Sequence, residues 1–110
     1  MTLDELIEII RIRPGNFLGD DLDMKALYHF IQGFLYSKRT NQLACDSEYH
    51  FNELFRRFII KKLSDINNSN RICSIKTWYE IIQLIADTNE ESIKLFFTLY
   101  DKFQFMRINK

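Results

Sequence analysis

Asp23-Met24-Lys25-Ala26-Leu27-Tyr28-His29-Phe30-Ile31-Gln32-Gly33-Phe34-Leu35-Tyr36 is the stretch on which the fold turns. Met24, Leu27, Tyr28, Ile31, Phe34 and Leu35 recur at helical spacing, which puts them on one stripe of an α-helix. Asp23 stands where an N-cap belongs, its carboxylate ready for an amide of the first turn. Phe30 and Tyr36 fall off the stripe, so more than one face is expected to be covered. Gly33 interrupts the pattern at a cost of about 1 kcal/mol relative to Ala. Close approach of a second helix is the expected reason for it.

Toward the N-terminus, Thr2 and Glu5 have the spacing of a capping box ahead of Leu3, Leu6, Ile7 and Ile10. Pro14 ends that first helix, since it lacks an amide hydrogen and disfavours helical geometry at Arg13. Ile12 to Asp21, with Gly15 and Gly19, reads as a structured loop. Toward the C-terminus, Lys38 to Asp46 is a polar connection, and Ser47 caps a third helix through Phe51, Leu54, Phe55, Phe58, Ile59 and Leu63. Asn67-Asn68-Ser69-Asn70 breaks the pattern, because these side chains compete for backbone hydrogen bonds.

A fourth helix is expected after Ser74, with Ile75, Trp78, Tyr79, Ile82 and Ile85 on one face. Asp87-Thr88-Asn89 forms a turn. A fifth helix opens with Glu90 and Glu91 at its positive end and continues through Ile93, Phe96, Phe97, Tyr100 and Phe103. Phe105 to Lys110 is left as a fraying end or short tail. The prediction is all-α: residues 1–110 as a single domain, one compact bundle of about five amphipathic helices.

Composition agrees with this. The 110 residues are 46% hydrophobic and 15% aromatic, enough for a core, and one Pro with three Gly disfavours turn-rich β architectures. Fifteen basic residues balance fifteen acidic ones, without the cationic excess usual in a dedicated nucleic-acid binder. The N-terminal residues lack the cationic and apolar segments of an export signal, and no apolar run has the length of a membrane span. A cytoplasmic location is expected, where reduced thiols are the ordinary state of Cys45 and Cys73, with a single disulfide between them as the alternative.

Few residues suggest chemistry. His29 and His50 are single imidazoles among aromatics, and the grouping of Cys45, Asp46 and His50 has no oxyanion donors or orienting partner to complete it. Neither histidine forms a metal-ligand motif with Cys45 or Cys73. No catalytic residue, metal or cofactor is therefore expected. Arg56, Arg57, Lys61 and Lys62 wind around the third helix as a solvated face. The alternative reading of that set is a helical nucleic-acid-binding regulator. Two acidic groups are more suggestive. Asp20, Asp21 and Asp23 precede the second helix, and Asp87, Glu90 and Glu91 precede the fifth. Helix N-terminal electrostatics accounts for Asp23, Glu90 and Glu91 and does less for Asp20 and Asp21; all six carboxylates, Asp87 included, are candidates for contact with a basic partner surface. Phe17, Tyr36 and Tyr49 lie outside the core stripes and are expected to anchor such a partner.

One segment has a wider resemblance. Arg13-Pro14-Gly15-Asn16-Phe17-Leu18-Gly19, followed by Leu27-Tyr28-His29-Phe30-Ile31 and Gly33-Phe34, resembles the opening of small bacterial immunity proteins of contact-dependent growth inhibition and related polymorphic toxin systems. The match covers roughly the first third of the chain, and Asn16 replaces the methionine usual there. The resemblance implies a cytosolic inhibitor that binds the toxic domain of a cognate effector, often an RNase, with no small-molecule substrate and no direct contact to nucleic acid or membrane. It assigns no contact residue. The same loop is similar to a segment of type II topoisomerase ATPase domains, but none of that domain's later motifs follows.

Overall fold

The computed structural model describes residues 1–18, 23–64 and 77–108. Gly19, Asp20, Asp21, Cys73, Ser74, Ile75 and the Asn67–Asn70 tract lie outside the described residues. Within them the protein is all-α, with seven helices and no strand: α1 Leu3–Ile12, α2 Gly15–Leu18, α3 Met24–Thr40, α4 Asp46–Tyr49, α5 Phe51–Ser64, α6 Trp78–Ile85 and α7 Asn89–Ile108. The five expected helices correspond to α1, α3, α5, α6 and α7. The other two, α2 and α4, are single turns that hydrophobic periodicity is too coarse to detect. No helix among the described residues is long and apolar enough to cross a membrane.

The chain forms two compact units, Met1–His50 and Phe51–Lys110. In the first, Thr2 and Glu5 form the expected capping box, and α1 buries Leu3, Leu6, Ile7 and Ile10. Asp23 caps α3, its carboxylate accepting the Lys25 amide at 3.0 Å. Met24, Leu27, Ile31 and Leu35 supply the buried side of that helix. The segment expected as a loop after Pro14 contains α2. There Asn16 and Phe17 donate their amides to the Arg13 and Pro14 carbonyls at 3.2 and 3.1 Å. Pro14 suits the start of such a turn, where its missing N–H would have had no helical partner.

Gly33 departs from expectation. It is exposed, and a Cβ added to it would meet nothing within 4 Å, so no neighbouring helix requires it. α3 ends beyond the expected boundary, at Thr40, with Asn41 as C-cap and Gln42 at a φ of 57°. The Leu43 amide returns to the Lys38 carbonyl at 2.8 Å, closing the helix end in the manner that usually recruits glycine.

The third expected helix divides at His50, where the backbone leaves helical geometry at φ −104° and ψ 11°. α4 starts one residue before the predicted Ser47 cap, with Cys45 as N-cap, because the Glu48 carboxylate folds back to accept the Cys45 amide at 3.2 Å.

The second unit is built on aromatic packing. Phe51 and Phe55 stack at 5.2 Å on α5, and Phe55 meets Trp78 of α6 at 5.4 Å. Trp78 lies 5.3 Å from Phe96 of α7, and Phe55 lies 5.4 Å from Phe103. All five rings are buried. Edge-on and tilted contacts of this kind contribute about 0.5–1.5 kcal/mol per pair beyond area burial. The Trp78 indole N–H donates to Asn52 Oδ1 at 2.8 Å, satisfying the one polar atom of that ring. Thr77 is extended and its hydroxyl accepts the Glu80 amide, so α6 begins at Trp78, later than the Ser74 start expected. Of the Phe105-to-Lys110 stretch, expected as a fraying end or short tail, the described residues are helical as far as Ile108.

Candidate functional site

A buried carboxylate organises the surface of the first unit. Glu48 is 5% exposed, and its Oε2 accepts the Leu3 amide at 2.8 Å. Its Oε1 accepts the Cys45 amide and lies 3.3 Å from Lys38 Nζ. The ammonium of Lys38 also donates to the Met1 carbonyl at 2.8 Å. Burial pushes the Glu48 carboxyl up, but the Leu3 and Cys45 amides and the Lys38 ammonium outweigh it and hold the group below the ordinary glutamate range. One side chain thereby fastens the start of α1 and the end of α3 to α4. The Cys45-x-x-Glu48 spacing is the sequence trace of this site, obscured because cysteine is not a usual N-cap.

On this braced frame stand two of the predicted anchors. Tyr36 is 70% exposed and Tyr49 is 57% exposed. Arg39 lies one turn after Tyr36 on α3, on the same face, and its guanidinium sits 5.5 Å from the Tyr49 ring centroid. The His50 ring packs edge-on to Tyr49 at 5.0 Å, and Leu43 is exposed in the connection between the two helices. Sequence reasoning missed Arg39, although its spacing from Tyr36 was the available signal. Two phenols and a guanidinium combine large rigid contact area with polar ends, the chemistry enriched where proteins grip one another.

The third anchor, Phe17, is placed differently. It is half-buried and packs edge-on against Phe30 at 5.3 Å, tying the α2 turn to α3. Asp23 is committed to capping α3. Asp20 and Asp21 lie outside the described residues. In the second unit the acidic group serves α7 itself: Glu91 accepts the Asp87 amide at 3.1 Å, and Glu90 pairs with Lys94 at 3.2 Å. All three of these carboxylates are on exposed residues.

The second unit has a cleft of about 520 Å³ between α5 and α7. Leu54, Phe58, Phe103 and Met106 form its apolar lining, and Arg57, Lys61 and Arg107 surround it. Leu54, expected in the core stripe, is 39% exposed, and Met106 is 41% exposed. The cleft therefore leaves apolar surface in contact with water. Two of the four cations expected on a solvated face, Arg57 and Lys61, are brought together here with Arg107. That grouping depends on how α7 packs against α5, which no spacing within either helix records.

Cys45 is an exposed free thiol, with its Sγ 3.2 Å from the Ser47 hydroxyl, and His50 turns to Tyr49. His29 is exposed on α3 beside Tyr28, at 5.6 Å between ring centroids. Among the described residues no group of three His, Cys, Asp or Glu side chains is placed to hold a metal ion. Compared with protein families, with curated proteins and with solved structures, the chain matches none.

Proposed function

We propose that this protein acts by binding another protein. In our reading it is an immunity protein that neutralises the toxic domain, a nuclease, of a cognate contact-dependent inhibition toxin. The observation that carries the reading is the exposed Tyr36–Arg39–Tyr49 cluster on helices that Glu48 braces together. A protein inhibitor needs a surface ordered before the partner arrives, because ordering side chains on binding costs about 0.5–1.5 kcal/mol for each flexible group immobilised. Tyrosines have few torsions to fix, and an arginine already stacked on one of them has less freedom to lose. A stable interface covers roughly 800 Å² per partner, so the cluster would be its centre rather than its whole extent. The resemblance of the Arg13–Gly19 and Leu27–Phe34 segments to immunity proteins supplies the partner class. It also supplies the compartment, since an immunity protein meets an incoming nuclease in the cytoplasm. Asp20 and Asp21 would then steer the approach of a basic nuclease cleft.

The test is co-expression with the C-terminal domain of a large exported protein encoded immediately upstream. Growth rescue and a one-to-one complex by calorimetry are expected, with no turnover of the nuclease by the inhibitor. A toxic domain that remains lethal and shows no complex would overturn the reading. Charge reversal of Asp20 and Asp21 should slow association at low ionic strength, and an unchanged rate removes them from the interface.

A further inference from the structure

The cleft between α5 and α7 in the second unit is not used by the Tyr36–Arg39–Tyr49 surface and has a chemistry of its own. Its apolar lining comes from Leu54 and Phe58 on one helix and Phe103 and Met106 on the other. Its cations are arginines with donors to spare. Arg57 commits its Nε to Glu53 at 2.8 Å, leaving its two terminal amino groups for another acceptor. Arg107 uses Nη1 on Gln104 at 2.9 Å, and its guanidinium lies 5.4 Å from the Phe103 ring centroid, beside the apolar lining. Lys61 adds a third positive charge.

Volume and charge choose the occupant. The volume of about 520 Å³ falls within the roughly 300–1,000 Å³ of small-molecule sites. Charge sets the sign. With Glu53 set against Arg57 and Lys61 left out of the count, Arg107 still gives the cleft a positive charge beside an uncharged apolar wall. The geometry points to a site for a free fatty carboxylate: a single acyl chain along Leu54, Phe58, Phe103 and Met106, with its carboxylate held by Arg57 and Arg107. A planar carboxylate matches the guanidinium fork in two parallel hydrogen bonds, and the methionine thioether adapts to chain shape. This inference is independent of the toxin partner proposed above.

The probe is dodecanoate below its micelle concentration, titrated into the full chain and followed by amide NMR shifts and calorimetry. Saturable one-to-one binding is expected, with shifts concentrated in Leu54–Lys61 and Phe103–Arg107. Dodecylammonium, carrying the same chain and the opposite charge, should bind at least about tenfold more weakly. Arg57→Gln and Arg107→Gln should each weaken dodecanoate about tenfold, since each removes a charge-assisted donor. Both sites are polar, and unchanged thermal unfolding checks that the variants remain folded. Met106→Glu, at a partly exposed position, should abolish binding by placing a carboxylate among the apolar residues. Equal affinity for the two head groups, shifts mapping elsewhere, or absence of saturable binding would overturn the assignment. Capture by anionic phosphatidylglycerol vesicles without a response to free dodecanoate would also overturn it, and would reassign the patch to a bilayer surface.

Discussion

The Leu3 amide donates to the Glu48 carboxylate at 2.8 Å, across 45 residues of chain, and Glu48 is buried as it accepts. This bond gives the first amide of α1 a second kind of N-terminal partner beyond the Thr2–Glu5 box. It also orders α4, a helix too short to hold itself together. Glu48→Ala strands the Leu3 amide, takes the acceptor from the Cys45 amide and removes the counter-charge of Lys38, and should destabilise the protein by about 3 kcal/mol in urea unfolding at neutral pH. Glu48→Gln retains an acceptor and should cost about 1–2 kcal/mol.

The same carboxylate predicts a pH dependence. Its folded pKa lies below its unfolded one, so its contribution is fully present above the ordinary glutamate value of about 4.3. That stabilisation is lost as pH falls through the depressed folded value. The stability gap between the native protein and Glu48→Gln should therefore be constant near neutrality and narrow in acid. A gap that stays flat down to strongly acidic pH would show that the carboxylate is not the stabilising species.

Glycine and glutamine occupy each other's favoured places on α3. Gly33 is exposed within the helix with open space where a Cβ would go, while Gln42 holds a φ of 57° at the helix end. Gly33→Ala should stabilise by about 1 kcal/mol. Gln42→Gly should gain about 1 kcal/mol by relieving the left-handed conformation. Each is checked by thermal unfolding, and the two should add approximately, since they act on separate backbone positions.

Asn52→Ala removes the acceptor of the buried Trp78 indole N–H and should cost about 1–3 kcal/mol. Asn52→Asp keeps an acceptor and should cost less. Denaturation followed by the fluorescence of Trp78, the chain's single tryptophan, reports directly on the affected core.

Tyr49→Ala and Tyr36→Ala should separate binding from stability. Both side chains are exposed, so unfolding should shift by less than about 0.5 kcal/mol. Affinity for the toxin domain should fall by about 2 kcal/mol or more at a central position. Phe17→Ala should do the reverse, destabilising the protein through the lost contact with Phe30. Calorimetry and thermal unfolding on the same three variants decide the matter.

Residue order alone was enough to say where the chain is helical. Thr2 with Glu5, Asp23 ahead of Met24, and the apolar stripes of α1, α3 and α5 are local signals, because capping and periodicity involve residues within a turn or two of one another. What those helices do with their remaining surface was settled by packing. Glu48 was invisible as a core residue because its partners, Leu3 and Lys38, are remote in the chain. Phe17 and Tyr49 looked equivalent as off-stripe aromatics until packing tucked one against Phe30 and left the other under Arg39. Arg57, Lys61 and Arg107 became one cleft only when α5 met α7. A helix specifies the direction of each side chain about its own axis; which neighbour stands in that direction is set by the burial of every other helix at once.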